Sequence, residues 1–106
     1  GDSAPNPVEQ LLGALGNCLA VGYAANATVA GIALRDLRVE LKGELDLQAF
    51  LGLADGHAGF NSIVATVTID SDASRDELEA LHAKVSGSSP VGHTIAHAVP
   101  LDLVLA

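Results

Sequence analysis

Apolar side chains recur along this chain in two rhythms, and the change between them marks its elements. From Pro7 to Gly31 the rhythm is helical. At about 100° per residue, Val8, Leu11, Leu12, Leu15, Cys18, Leu19, Gly22, Tyr23 and Val29 fall within roughly 140° of arc. Asn6 is a capping residue ahead of Pro7 at the first helical position, and Gly31 is a favoured stop. The rest of the circumference is Ala, Gly, Val and Asn, with no charge between Leu11 and Ala30. A helix apolar nearly all round is buried on most sides, so this stretch predicts the central core helix. Gly16, Ala20 and Ala24, every fourth residue, form a ridge that another helix can approach closely.

The second rhythm has period two. Leu37, Val39, Leu41, Leu45 and Leu47 alternate with Arg38, Glu40, Lys42, Glu44 and Asp46, the pattern of a half-buried strand with Gly43 as a candidate bulge. A Gly-rich loop, 49–61, follows, in which Phe50 and Phe60 either line a pocket mouth or pin the loop. A second strand, 62–70, presents Ile63, Ala65, Val67 and Ile69 on one face and closes an antiparallel pair. Ser74-Arg75-Asp76-Glu77 is a capping box opening a helix that buries Leu78, Leu81 and Val85, exposes Glu79 and Lys84, and stops at Gly87. Ser89 and Pro90 start a short helix to about His97. After Pro100, Leu101, Leu103 and Leu105 alternate as a closing strand. The order helix, strand, strand, helix, short helix, strand is α+β, one domain over residues 1–106 without a repeat or linker.

Twenty uncharged residues are long enough for a membrane span. Six alanines and three glycines between Leu11 and Ala30 make the stretch weakly hydrophobic, however, and Asn17 and Asn26 would sit in lipid. Flanking aromatic belts and Lys/Arg clusters are missing, so the sequence predicts no membrane partner. A core helix apolar all round nonetheless needs more cover than three strands and one further full-length helix supply. A second copy of the chain, or protein upstream of Gly1, is the expected cover.

Composition narrows the partners. Thirteen Asp and Glu against five Lys and Arg give a net charge of −8, a field that repels phosphate backbones and excludes nucleic acid. Aromatic residues make up 3% of the chain, so the core is aliphatic. A single cysteine excludes an intrachain disulfide and a cysteine-based zinc cluster, and fits a reducing compartment. The opening GDSAPN is a polar loop without signal-peptide character. Its start at Gly rather than Met predicts a cleaved or internal beginning.

Few residues are candidates for chemistry. Cys18, mid-helix, is either a small inert hydrophobe or a reactive thiol, and reactivity requires a lowered pKa. Nothing adjacent in sequence supplies a cation, and an aliphatic surrounding predicts a raised pKa and slow oxidation. Ser89 is an N-cap or part of an anion site at a helix start. His93 and His97 are four apart but lack the remainder of a zinc signature, so no metal is expected.

Taken together, Asn6-Pro7-x-Glu9, an Ala/Gly-rich helix bearing Cys18, SSPVG at 88–92 and a closing strand resemble the OsmC/Ohr family over nearly the whole chain. The resemblance implies an OsmC-like fold with the long central helix packed on an antiparallel sheet in an intertwined homodimer. It implies a cytoplasmic, bacterial, cofactor-free, peroxiredoxin-type protein of oxidative stress, reducing organic hydroperoxides with an external thiol at catalytic Cys18. The family's second cysteine falls on Ser89 and its helix-start carboxylate on Val8. Its activating arginine lies in an N-terminal strand segment not found in these 106 residues. Two alternatives stand beside the peroxidase: a family member binding a small apolar ligand at the dimer interface, and a dimerisation fragment of a longer protein.

Overall fold

The computed structural model describes residues 6–106; Gly1–Pro5, read above as part of a loop, lie outside the described residues. Helix α1 spans Pro7–Ala30. The Asn6 side chain accepts from the Glu9 N–H at 2.9 Å and donates to the Glu9 carboxylate at 3.0 Å, so the cap works in both directions. The helix ends at Gly31, whose φ of 74° is the left-handed conformation that favours glycine.

Strands β1 (Asp36–Leu45) and β2 (Phe60–Asp70) pair antiparallel. Leu37 lies opposite Ile69, Val39 opposite Val67 and Leu41 opposite Ala65. The two predicted apolar faces therefore combine into one surface, which packs on α1. The irregularity falls between Glu44 and Leu45, one residue beyond Gly43. Gly43 serves another purpose, because a Cβ there would stand 2.5 Å from the Phe60 ring. Phe60 thus pins the loop end, whereas Phe50 is exposed.

Between the strands, Leu47–Phe50 form a single turn, α2, where strand and loop were expected. Asp46, expected on the strand's charged face, instead caps this turn through the N–H groups of Gln48 and Ala49. Helix α3 (Arg75–Ser86) opens on the predicted capping box and α4 (Pro90–Ala96) on Ser89.

The core is small and lies between α1, α3 and the sheet. Tyr23, Ala27, Leu81 and Val85 are its buried centre, ringed by Leu19, Ile32, Leu34, Leu37, Val67 and Ile69. The Tyr23 hydroxyl, buried with its ring, bonds His82 Nδ1 on α3, and desolvation raises the tyrosine's pKa. Arg35 bridges Asp70 and Asp72, tying the segment after α1 to the end of β2.

Three expectations are corrected. Leu101, Leu103 and Leu105 are extended but join no sheet, and Leu105 is 99% exposed; among the described residues the sheet has two strands, and no ladder reaches this segment. Val29, placed in the apolar stripe, is 88% exposed, and Ala27 is buried instead. The neighbour at Gly16 is Leu41 of β1, not a helix, and α3 comes close at Gly22 through Val85. The side of α1 facing away from the sheet and α3 is open. Among the described residues no helix is long and apolar enough to cross a membrane.

Candidate functional site

Cys18 lies midway along α1, half-buried, on the flank facing α4. Four features of the local sequence bring α4 to it. Gly87 and Ser88 end α3 and turn the chain. Ser89 then caps α4 with its hydroxyl, which accepts from the Gly92 N–H at 3.1 Å. Pro90 fills the first helical position, where no N–H is needed. Gly92 leaves room for the cap, since a Cβ there would stand 3.0 Å from Ser89 Oγ and 3.2 Å from Ser89 Cβ.

In this arrangement Ser89 Oγ lies 3.3 Å from Cys18 Sγ although 71 positions separate the residues. Ser89 is buried, and with Gly92 donating to its oxygen, its own hydrogen is available to the sulfur. The Val91 backbone N–H adds a second, smaller pull toward the thiolate. Hydrogen bonds to the charged form favour it. The Ser89 hydroxyl first, and then the Val91 N–H, hold the Cys18 thiol below its ordinary pKa, outweighing the opposing desolvation. The expectation of a raised pKa is thereby overturned. Its premise was an aliphatic surrounding, and the sulfur meets a hydroxyl and an amide instead.

A groove of about 420 Å³ opens beside the thiol. Val21, Gly22, Val85 and Pro90 make it apolar, and Asn17, Asn26, Ser88 and Ser89 give it polar, uncharged points. Cys18 therefore combines a stabilised thiolate with access for a small molecule.

The other sequence candidates lie apart from this site. Glu9 is engaged by Asn6 at the start of α1. His93 and His97 stack at 5.2 Å, with His97 Nδ1 bonded to the His93 carbonyl; among the described residues no three ligating side chains gather for a metal. Sequence reasoning marked Cys18 and Ser89 in two separate family motifs but gave Val91, within the second, no role, since it acts through its backbone and leaves no mark in residue type.

Known proteins share the fold that carries this site. The family model for OsmC-like proteins matches residues 1–104. An OsmC-like protein from Mycoplasma pneumoniae superposes with a TM-score of 0.80 at 22% identity, covering 90% of this chain and 64% of that one. An organic hydroperoxide resistance protein OsmC from Legionella pneumophila gives 0.68 at 23%, covering 89% and 64%. An OsmC-like hydroperoxide resistance protein from Jannaschia sp. CCS1 gives 0.72 at 19%, covering 95% and 66%. At these identities the likeness is one of fold, and this chain spans just under two thirds of each of those structures. No curated protein sequence matches the chain at a significant level. With the family model matching almost every residue and the α+β fold shared, the chain belongs to the OsmC-like family.

Proposed function

We propose that this chain reduces organic hydroperoxides at Cys18, using an external thiol as reductant. The observation that carries the reading is the Ser89 hydroxyl 3.3 Å from the Cys18 sulfur, beside an open apolar groove, with the Val91 N–H also favouring the thiolate. The thiolate is the attacking species. It takes the distal oxygen of the hydroperoxide: an S–O bond forms, the O–O bond breaks, and the alkoxide leaves with a proton as the alcohol. Cys18 becomes a sulfenic acid, and two equivalents of thiol return it to the thiol. The uncharged groove suits an apolar organic peroxide, and a reducing cytoplasm suits the reductant.

The working form in this reading is a homodimer joined along α1. The chain exposes 7773 Å², against roughly 5,500 Å² for a compact monomer of this size. Its radius of gyration of 16.9 Å exceeds the about 13 Å of a compact chain. Leu11 and Val29 lie exposed along α1, and a second copy is the natural cover.

The test is consumption of cumene hydroperoxide with a dithiol present, using Cys18→Ser as the blank. Turnover is expected to depend wholly on Cys18. Equal consumption by the chain and the blank would refute the reading.

A further inference from the structure

Leu15 and Cys18 stand one turn apart on the same side of α1. Leu15 is buried, yet neither it nor any residue of α4 belongs to the core centre or to the ring around it. Its neighbour across the gap is α4, where a Cβ on Gly92 would stand 3.9 Å from Leu15 Cδ1. The same glycine donates its N–H to Ser89 Oγ, and that oxygen lies 3.3 Å from the Cys18 sulfur. Gly92 therefore adjoins both the apolar side chain beneath α4 and the hydroxyl that reaches the thiol. Little else holds this helix. It is seven residues long with none fully buried, and it packs chiefly on α1. Among the described residues, Cys18 to Ser89 is the one side-chain hydrogen bond joining α4 and its cap to another element.

We propose that Leu15 is a positioning residue for Cys18: it seats α4 on α1 and so fixes the reach of the Ser89 hydroxyl to the sulfur. The inference deepens the reading of Cys18 given above and rests on it for its catalytic meaning. With α4 seated, the hydroxyl and the Val91 N–H favour the thiolate. With the seat emptied, α4 shifts, both groups lose their aim, and the thiol returns toward its ordinary ionisation. A hydrogen bond weakens steeply with distance and angle, so a displacement too small to melt the helix is enough.

The arrangement separates the reactivity of the thiol from the stability of the fold. Val91, Gly92 and Ile95 are the half-buried positions of α4, and a short element with so small a contact opens at lower cost than the core. Tyr23, Leu81 and Val85 hold α1 to α3 without α4. The described residues of α1, of α3 and of the start of α4 that line the space beside Cys18 are all uncharged. The thiol is therefore the group there whose titration reports where α4 sits.

The experiment follows alkylation of Cys18 by iodoacetamide across pH in the folded chain, with urea titration of each variant alongside. Leu15→Ala is expected to raise the alkylation midpoint by about half a pH unit. Leu15→Met, which refills the volume, is expected to restore it. Val67→Ala trims the ring of the core instead, and is expected to lower stability while leaving the midpoint in place. In a Ser89→Ala background, Leu15→Ala is expected to move the midpoint less than it does in the parent, because the leucine acts through the hydroxyl. Should Leu15→Ala fail to fold, Ile95→Ala loosens the same seat from the side of α4 and is read in its place, with the same shift expected. A seat variant with the parent's midpoint overturns the role of Leu15, as does a Val67→Ala shift of equal size. Full additivity with Ser89→Ala overturns the route through the hydroxyl. All of these readings are made without peroxide. A chain that consumes no cumene hydroperoxide therefore sinks the proposed function alone, and the midpoints still decide for or against Leu15.

Discussion

Tyr23, buried in the middle of α1, bonds through its hydroxyl to His82 Nδ1 on α3 at 2.5 Å. The ring itself stands 1% exposed among Ala27, Leu81 and Val85, so one side chain supplies both core volume and a polar link between helices. The two contributions separate by mutation. Tyr23→Phe removes only the bond and is expected to cost about 1 kcal/mol. Tyr23→Ala also opens a cavity and is expected to cost about 3–5 kcal/mol. Urea titration of both variants checks the difference, and equal losses would mean that the hydroxyl, not the ring, dominates.

The thiol of Cys18 is expected to ionise below its ordinary value, since the Ser89 hydroxyl bonds the sulfur and the Val91 N–H also favours the thiolate. Alkylation by iodoacetamide across pH measures this as a midpoint. Ser89→Ala is expected to move the midpoint up. Gly92→Ala is expected to do the same indirectly, because its Cβ would displace Ser89 Oγ from 3.0 Å away. The sign for stability follows. A folded-state pKa below the unfolded one favours the native state as pH rises through the folded value. That increment is complete above the unfolded value and disappears on acidification. It should vanish in Cys18→Ser.

Two glycines with close neighbours are expected to behave oppositely. At Gly16 a Cβ would meet Leu41 Cδ1 at 2.8 Å, the tip of a side chain that can turn aside. Helix propensity gains about 1 kcal/mol from Gly→Ala, so Gly16→Ala should be neutral or stabilising. At Gly43 the added carbon would meet the Phe60 ring at 2.5 and 2.7 Å, and a rigid ring packed over the strand must move bodily. Gly43→Ala is expected to cost about 1–3 kcal/mol. Melting temperatures of the two variants shifting in the same direction would contradict this account.

If α1 joins two copies, sedimentation at micromolar concentration will show a dimer, and Val29→Asp will dissociate it while leaving the helical signal intact. Val29 is exposed in the single chain, so the charge harms nothing there, whereas burying it unpaired between copies costs several kcal/mol. A parent chain that sediments as a monomer would remove the dimer from the proposed function.

Most of the fold was legible because its signals are local. Asn6-Pro7, Gly31 and the Ser74–Glu77 box mark helix ends through hydrogen bonds spanning a few residues, and the alternation in β1 and β2 fixed their shared face and hence their register. Errors came where a pattern has two physical solutions. Leu101, Leu103 and Leu105 alternate like a strand, but alternation cannot supply a partner edge. Asp46 continues the charged face of β1 in sequence, yet its carboxylate caps a turn in space. The site was half legible. Cys18 and Ser89 stand out as residues, while the Val91 amide that completes the site is a backbone group that every non-proline residue carries.

The 71-residue span between Cys18 and Ser89 also bears on the order in which the molecule assembles. Closing a loop of that length costs about 1.4 kcal/mol more than closing the loop between Leu45 and Phe60, so the hairpin and the first turns of α1 are the favoured early structure. The thiol environment is then among the last features to form, since it exists only once α4 docks. Until that moment Cys18 is an ordinary thiol on a partly exposed helix, open to capture by any oxidant or disulfide present. A refolding chain would therefore be at its most vulnerable to mispaired sulfur just before it acquires its chemistry.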